Sequence, residues 1–374
     1  MKQRTFNILL TVLFCLFIGG MFLGSLILPD RDFSQLENRK LAQTPALSLE
    51  NITTGKFMED AEDYVNDQIL GRDFWVALKA WSERASGKQE NNGVYFAKED
   101  TLISRVDTPE QSTLDTNAGY VNALVDNVDV PVYFGIIPSA AEIWSDRLPE
   151  GAPTADEKAI IDRLYNEVQT HTIDLYSALA QHKDEGIFYR TDHHWTSLGA
   201  YYGYTALMDA MGLEAVPLDE SQKVTVSENF YGTLFSSSGV RWLPPDHIDR
   251  YISDEGVTVT AYPNGTPEPG SLYVDSYLEV KDKYSSFLGG NKPLCVIETE
   301  HTDAPKVLVI RDSYADSLAP FLTQNFSEIH LFDPRYNLTS VKDYVTQNEI
   351  DSVVVLYSIS NFTAKDNQMF VLGR

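Results

Sequence analysis

Four short apolar runs limit what this chain can fold into more than any other feature: PVYFGIIPS (131–139), KVLVIRDS (306–313), IHLFDPR (329–335) and DSVVVLYSIS (351–360). Each is near-continuous and bounded by polar or turn residues, the pattern of a strand buried on both faces of a mainly parallel sheet. Amphipathic stretches lie between them, including DEKAIIDRLYNEVQTH (156–171) and SLGAYYGYTALMDAMG (197–212), the second closed by Gly212. Strands alternating with helices predict a layered α/β domain. Residues 214–300, rich in Pro, Gly and Tyr, do not fit the alternation and are expected to form an insertion of irregular and β structure.

The N-terminus carries a different signal. Lys2 and Arg4 precede NILLTVLFCLFIGGMFLGSLIL (7–28), which runs without a charge to Pro29 and Asp30. That length spans a bilayer, and positive charge before it with acidic residues after it places the bulk of the chain outside. No small-x-small cleavage site follows the run cleanly, so an uncleaved signal anchor is expected, a cleaved signal and a secreted protein being the alternative. Residues 31–91 read as a helical stalk or cap, because apolar residues in GKFMEDAEDYVNDQILGRDFWVALKAWSERASG recur at three and four. NGVYFAKEDTLIS (92–104) reads as a hairpin opened by Asn92 and Gly93. The expected organisation is therefore 1–30 cytoplasmic tip and transmembrane anchor, 31–91 stalk or cap, and 92–374 the α/β domain with its insertion at about 214–300.

Composition removes several functions. With 54 acidic against 29 basic residues the formal charge is −25, and such a surface repels phosphate backbones, which argues against nucleic acid as a partner. The two cysteines, Cys15 in the apolar run and Cys295 alone, leave neither a disulfide framework nor a thiolate metal site.

Chemistry concentrates at two places. TDHHWTSLGAYYGY (191–204) sets Asp192, His193, His194 and Trp195 on a loop leading into a helix near Thr196. An imidazole works as a general base when a carboxylate fixes its tautomer and orientation, and Asp192 with either histidine can form such a pair. A helix cap with packed histidines is the competing reading. At 307–322, VLVIRDSYADSLAPFL runs a strand through Arg311, Asp312 and Ser313 into a helix. A serine at such a turn is exposed near backbone N–H groups, and with the Asp-x-His elsewhere it supplies the nucleophile of a triad. Adjacent histidines also contain ligand types for zinc, but neither HxxxH nor His-x-His spacing accompanies them. No metal and no cofactor is expected. In FDPRY, Arg335 and Tyr336 follow a strand end, where ligands bind in open α/β sheets, an Arg335–Asp333 pair being the alternative.

YRTDHHWTSLGA, joined to Asp312-Ser313-Tyr314 after a strand, resembles the DHHW proteins, relatives of the alginate O-acetylation proteins of the SGNH-hydrolase-like superfamily. FSQLENRKL, the GKF…DYVNDQI…RDFW segment, NGVYF, PVYFGIIPSAAEIW, FYGTLFSSSG and FDPRY support it in order. The resemblance implies a three-layer SGNH-hydrolase-like domain with a mainly parallel central sheet, an irregular insertion and an N-terminal membrane anchor. It implies Ser313 as nucleophile, His194 as base and Asp192 as its orienting carboxylate. His193, Trp195, Tyr314, Arg335, Tyr336 and Asn361 become candidates for contacting substrate or an oxyanion. The implied activity is an extracytoplasmic O-acyl, chiefly acetyl, transferase or esterase acting on a cell-envelope or secreted polysaccharide, with a multi-pass membrane O-acyltransferase as partner. A catalytically inactive scaffold that binds glycan or that acyltransferase, and a metal-dependent hydrolase using His193 and His194, are the rival readings. Two departures stand out: Arg311 occupies the glycine position of a Gly-Asp-Ser block, and Ala140 and Ala141 follow IIPS where the alginate proteins are expected to have a lysine.

Overall fold

The four apolar runs become strands because β-branched and aromatic side chains pack well on a pleated surface covered on both faces. The computed structural model describes residues 3–374; Lys2, one of the two cations before the apolar run, lies outside the described residues. Contacts divide the chain into two units, Met1–Lys88 with Phe235–Trp242, and Gln89–Leu234 with Leu243–Arg374.

The first unit holds the helix Gln3–Ile27, whose 25 residues at about 1.5 Å each are enough to cross a hydrocarbon layer of about 30 Å. It has the length and composition of a membrane span or of a signal sequence. Two further helices, Lys56–Gln68 and Arg72–Ala85, are separated at Gly71, whose φ of +69° favours glycine. Arg39 Nη1 donates to Asp67 Oδ2 at 2.8 Å, and Arg72 Nη2 to Glu37 Oε2 at 2.9 Å.

The second unit is built on an eight-stranded sheet. In chain order its strands are β1 (Val132–Ile137), β2 (His171–Thr172), β3 (Thr258–Ala261), β4 (Glu268–Pro269), β5 (Leu294–Glu298), β6 (Lys306–Arg311), β7 (Glu328–Phe332) and β8 (Ser352–Ser358). Their spatial order is β4-β3-β5-β7-β6-β8-β1-β2. Strands β7, β6, β8, β1 and β2 run parallel, and β5, β3 and β4 complete the sheet antiparallel. The sheet is thus mostly parallel, and four of its five parallel strands are made from the apolar runs, His171–Thr172 adding the fifth at the edge. Residues 214–300 supply the antiparallel strands, together with a separate ribbon of Val224–Phe230 against Asp246–Arg250.

Side chains alternate across the sheet, so two apolar cores form. Val307 and Val309 of β6, Ile329 and Leu331 of β7, and Val354 and Leu356 of β8 face one core. Leu308, Ile310, Phe332, Val353 and Val355 face the other. Among its helices are α1 (Gln111–Asn127), α2 (Glu157–Glu167), α3 (Ser197–Met211), α4 (Ala315–Leu322) and α5 (Val341–Gln347). The first core is closed by α3 and α4, the second by α1, α2 and α5. Asn92 and Gly93, with φ of +50° and +76°, make the two-residue turn that joins Glu90–Asn91 to Val94–Phe96, and Leu102–Ser104 adds a third strand.

Register sets the working edge. Ile310 lies beside both Phe332 and Val355, and Ser358 beside Ile137. The turns after β6, β7, β8 and β1 therefore emerge along one carboxyl edge of the parallel strands, the usual place for a site in such a sheet.

Candidate active site

From Val307 to Thr323 every residue is buried except Ser313. The strand-to-helix turn exposes this serine because Asp312, fully buried, turns back and ties the turn to the end of β8. Its carboxylate accepts from the N–H of Tyr314 (3.0 Å), the N–H and hydroxyl of Ser358 (2.9 and 2.6 Å) and the Asn361 amide (2.9 Å). Asn361 is thus placed behind the Ser313 turn, with its amide directed at Asp312.

The second half of the site hangs from a bridge between Phe188 and Trp195. Thr191 anchors the loop through its N–H and hydroxyl to Asp246 Oδ2, at 2.8 and 2.6 Å. Asp192, only 2% exposed, accepts four hydrogen bonds: from the N–H and Nδ1 of His194 (2.9 and 2.6 Å) and from the N–H and hydroxyl of Thr233 (2.7 and 3.0 Å). Burial opposes its ionisation, but the histidine charges and these bonds outweigh burial and hold the carboxyl well below the ordinary range. The other ring nitrogen of His194 meets Ser313, with Nε2 to Oγ at 2.8 Å. An ionised carboxylate only accepts, so Nδ1 carries the proton and Nε2 of the neutral ring accepts from the serine hydroxyl. Ser313, His194 and Asp192 therefore form one continuous relay across elements 119 residues apart.

Aromatic groups lock the two halves together. The Trp195 indole, fully buried, donates to Tyr314 O (2.9 Å) and Ser317 Oγ (3.0 Å). Its ring lies on α3 where a Cβ at Gly203 would come within 2.7 Å of it, so the GAYYG spacing makes room for the tryptophan. The Tyr314 hydroxyl reaches the His193 carbonyl. Trp195 and Tyr314 are thus braces inside the protein.

Two contributors had no signal in the sequence reading. Tyr284 stacks flat on His194, ring centroids 3.8 Å apart at 9°, and its hydroxyl donates to Ser313 O at 3.0 Å. Thr233 holds Asp192, as above. Both come from stretches without periodicity, although Thr233 lies in FYGTLFSSSG. Next to it Gly232 is obligatory, since a Cβ there would stand 2.2 Å from the Asp192 Cβ.

His193 points the other way, its Nδ1 2.7 Å from Thr233 Oγ1. With a side chain 38% exposed, it is nevertheless pushed down to about 4, by desolvation first and then by the His194 charge, and stays neutral at pH 7. The ligand atoms of Asp192, His193 and His194 lie within 4.8 Å of one another. Both nitrogens of His194 are already engaged, with Asp192 and Ser313, so a cation would have to displace one of these bonds. Arg335 pairs with Asp333 through Nε–Oδ1 (2.9 Å) and Nη2–Oδ2 (2.7 Å), while Tyr336 is exposed. Neither is bonded to the triad.

At the end of β1, where the lysine was expected, Ser139 caps a short helical turn and donates its N–H and hydroxyl to Glu157, at 2.8 and 2.6 Å. Glu157 is fully buried. Burial, reinforced by the Glu142 charge and opposed by the Ser139 bonds, lifts it to about 7. A carboxyl raised in the fold contributes stability that is complete below its unfolded value and lost as pH rises through about 7. Glu157→Gln keeps an acceptor for the Ser139 N–H and a donor for its hydroxyl without the charge. It is expected to match wild type near pH 4.5 and to exceed it at pH 8 by roughly 1–3 kcal/mol in urea denaturation. A difference that does not change with pH would contradict this.

Comparison with known proteins adds relatives. The family model described as DHHW protein matches residues 107–332. The probable alginate O-acetylase AlgJ of Pseudomonas syringae pv. tomato is 24% identical over 245 residues, 61% of this chain and 60% of that protein, so the chain spans about 60% of the length of this curated relative. The crystal structure of a DHHW family protein from Eubacterium siraeum superposes with a TM-score of 0.66 at 26% identity, covering 75% of this chain and 95% of that one. Bacillus cereus PatB1 with a sulfonyl adduct has a TM-score of 0.62 at 20% identity, over 74% and 98% of the two chains, a likeness of fold.

Proposed function

Because this chain belongs to the DHHW protein family, we propose that it is a serine-dependent O-acyltransferase, acetyl being the chief group, that modifies a polysaccharide outside the cytoplasm. The observation that carries the reading is the Ser313–His194–Asp192 relay, with contacts of 2.8 and 2.6 Å. The likeness to a probable alginate O-acetylase supports the acyl group and the polysaccharide acceptor. Helices on both faces of a mostly parallel sheet support the SGNH-like three-layer reading. Residues 92–374 are then the catalytic domain, 31–91 its stalk, and the apolar N-terminal helix its anchor in the membrane. A multi-pass membrane acyltransferase is the proposed source of the acyl group.

In this mechanism the Ser313 Oγ attacks the donor's acyl carbonyl while its proton passes to His194 Nε2, and Asp192 stabilises the imidazolium. The N–H of Ser313 has no internal acceptor among the described residues and is free to donate to the developing oxyanion. Collapse expels the donor's leaving group, which takes the proton from His194, and leaves an acyl-serine. A sugar hydroxyl then gives its proton to His194 and attacks the ester, and collapse expels the Ser313 oxygen, which takes that proton back from His194. Stacking on Tyr284 keeps the imidazole plane fixed through both halves.

Partition of the acyl group tests the reading. With p-nitrophenyl acetate as donor, added oligosaccharide is expected to receive acetyl, detected by mass spectrometry, at the expense of free acetate, and EDTA leaves the rate unchanged. Acetate release that no acceptor diverts would make the protein an esterase. Loss of activity with EDTA, restored by zinc, would transfer the chemistry to the Asp192–His193–His194 cluster as a metal site.

A further inference from the structure

A cleft lies along the same carboxyl edge of the sheet. Its volume is about 590 Å³, within the range of small-ligand sites. It is lined by Tyr262, Tyr336, Tyr344, Asn337, Asp343 and Gln347, among others. Leu294, which lines it, stands beside Phe332, which stands beside Ile310 of the strand that leads into Ser313. The cleft is therefore two strands from the nucleophile strand, roughly 10 Å at the usual interstrand spacing.

Its chemistry is specific. Tyr336 is 56% exposed, a large aromatic face turned to solvent. The Tyr344 ring is held by a 2.7 Å contact from its hydroxyl to His330 Nδ1. Amide, carboxylate and hydroxyl groups surround these rings. A sugar has an apolar face of C–H groups and an edge of hydroxyls, so tyrosine faces ringed by amides and carboxylates complement it. Among the described residues no Lys, Arg or His lines the cleft, and Asp343 does. The nearby Arg335 is neutralised by Asp333. The Arg335 guanidinium stands 5.6 Å from the Tyr336 ring centroid but is held by Asp333, so a uronate or phosphorylated sugar would have to compete with that carboxylate and would also meet a protein of net charge −25.

We propose that this cleft is a glycan subsite that holds an uncharged segment of the acceptor polysaccharide while Ser313 delivers the acyl group to a neighbouring sugar. The inference rests on the O-acyltransferase reading and adds to it a substrate class, a neutral polysaccharide. Tyr336 stacks on a sugar face, and Asn337, Asp343 and Gln347 bond its hydroxyls.

Calorimetric titration of the full chain in detergent tests this with cellotetraose, tetra-N-acetylchitotetraose and tetragalacturonate as probes. A neutral tetrasaccharide is expected to bind and tetragalacturonate not to bind. Tyr336→Ala is expected to weaken the neutral ligand by about tenfold, and Tyr336→Trp to restore it, because the stacking face returns. Tyr336 is exposed, so neither variant threatens the fold. Failure of both neutral probes to bind, tighter binding of tetragalacturonate, or wild-type affinity in Tyr336→Ala would overturn the proposal. Acetylation of Ser313 is read separately on the wild-type chain. If it is absent while neutral sugar binds through Tyr336, the catalytic reading fails and the subsite stands.

Discussion

Replacing Ser313 by alanine is expected to reduce p-nitrophenyl acetate turnover on the order of 10⁴- to 10⁶-fold, to the level left by binding alone. The serine is the one unburied residue between Val307 and Thr323, so its side chain can be removed without opening the core. The variant therefore keeps its melting behaviour. His194→Ala is expected to lose a similar factor, because an unassisted serine hydroxyl is a weak nucleophile. The double variant is expected to be no worse than either single one, since the two groups act as a unit. Asp192→Asn leaves the shape but removes the acceptor that fixes the Nδ1–H tautomer, for an expected loss of about 10⁴-fold. Initial rates on the four variants, with urea midpoints to confirm folding, check this set. Additive losses in the double variant would mean that Ser313 and His194 serve different steps.

The second large effect concerns stability. Arg311, the departure from Gly-Asp-Ser, is fully buried at the end of β6, two residues before Ser313. Its Nη1 lies 2.9 Å from Asp316 Oδ1, 3.1 Å from Asn291 Oδ1 and 4.0 Å from Asp333 Oδ2. Its Nε and Nη2, and Asp316 Oδ1, make no hydrogen bond in spite of that proximity, so the Asp316 contact is one of charge. Burial lifts Asp316 to about 6 even with the guanidinium beside it lowering the value. Arg311→Met removes that opposing charge and leaves Asp316 and Asp333 in the interior. A loss of about 3–5 kcal/mol is expected at pH 8. A carboxyl raised in the fold contributes stability that is present below its unfolded value and lost as pH rises through its folded value. Without Arg311 the folded value climbs further above 6, so the cost of the substitution is largest above pH 6 and shrinks toward pH 4. Urea denaturation of the full chain at pH 5 and pH 8 reads this. Arg311→Met with Asp316→Leu is expected to recover part of the loss at pH 8. A cost equal at both pH values would place the role of Arg311 in packing alone.

How far the sequence could be read depended on what each residue type leaves visible. Uninterrupted valine and isoleucine runs mark doubly covered strands, and all four run parallel as expected. Ser313, His194 and Asp192 could be singled out because Asp-x-His and a serine after a strand each limit the chemistry, although neither shows that the two loops meet, as they do here. The antiparallel strand β5 was hidden, as LCVIE sits among Pro and Gly residues that read as irregular. Tyr284 was invisible for a related reason: a tyrosine in a short 3-10 turn carries no periodicity, and only the fold lays it on His194. Trp195 and Tyr314 were expected near substrate, being aromatic and adjacent to the candidate catalytic groups. Their 0% and 4% exposure makes them braces, a distinction set by which way the loop turns. Arg335 pairs with Asp333, the alternative that its spacing allowed.

The most direct measurement is intact-mass analysis of the full chain after brief exposure to p-nitrophenyl acetate, beside Ser313→Ala and His194→Ala. A single acetyl group on wild type, absent from Ser313→Ala and forming far more slowly in His194→Ala, is the predicted result. Absence of any adduct on wild type, or an adduct that persists in Ser313→Ala, would contradict the assignment of Ser313 as the nucleophile.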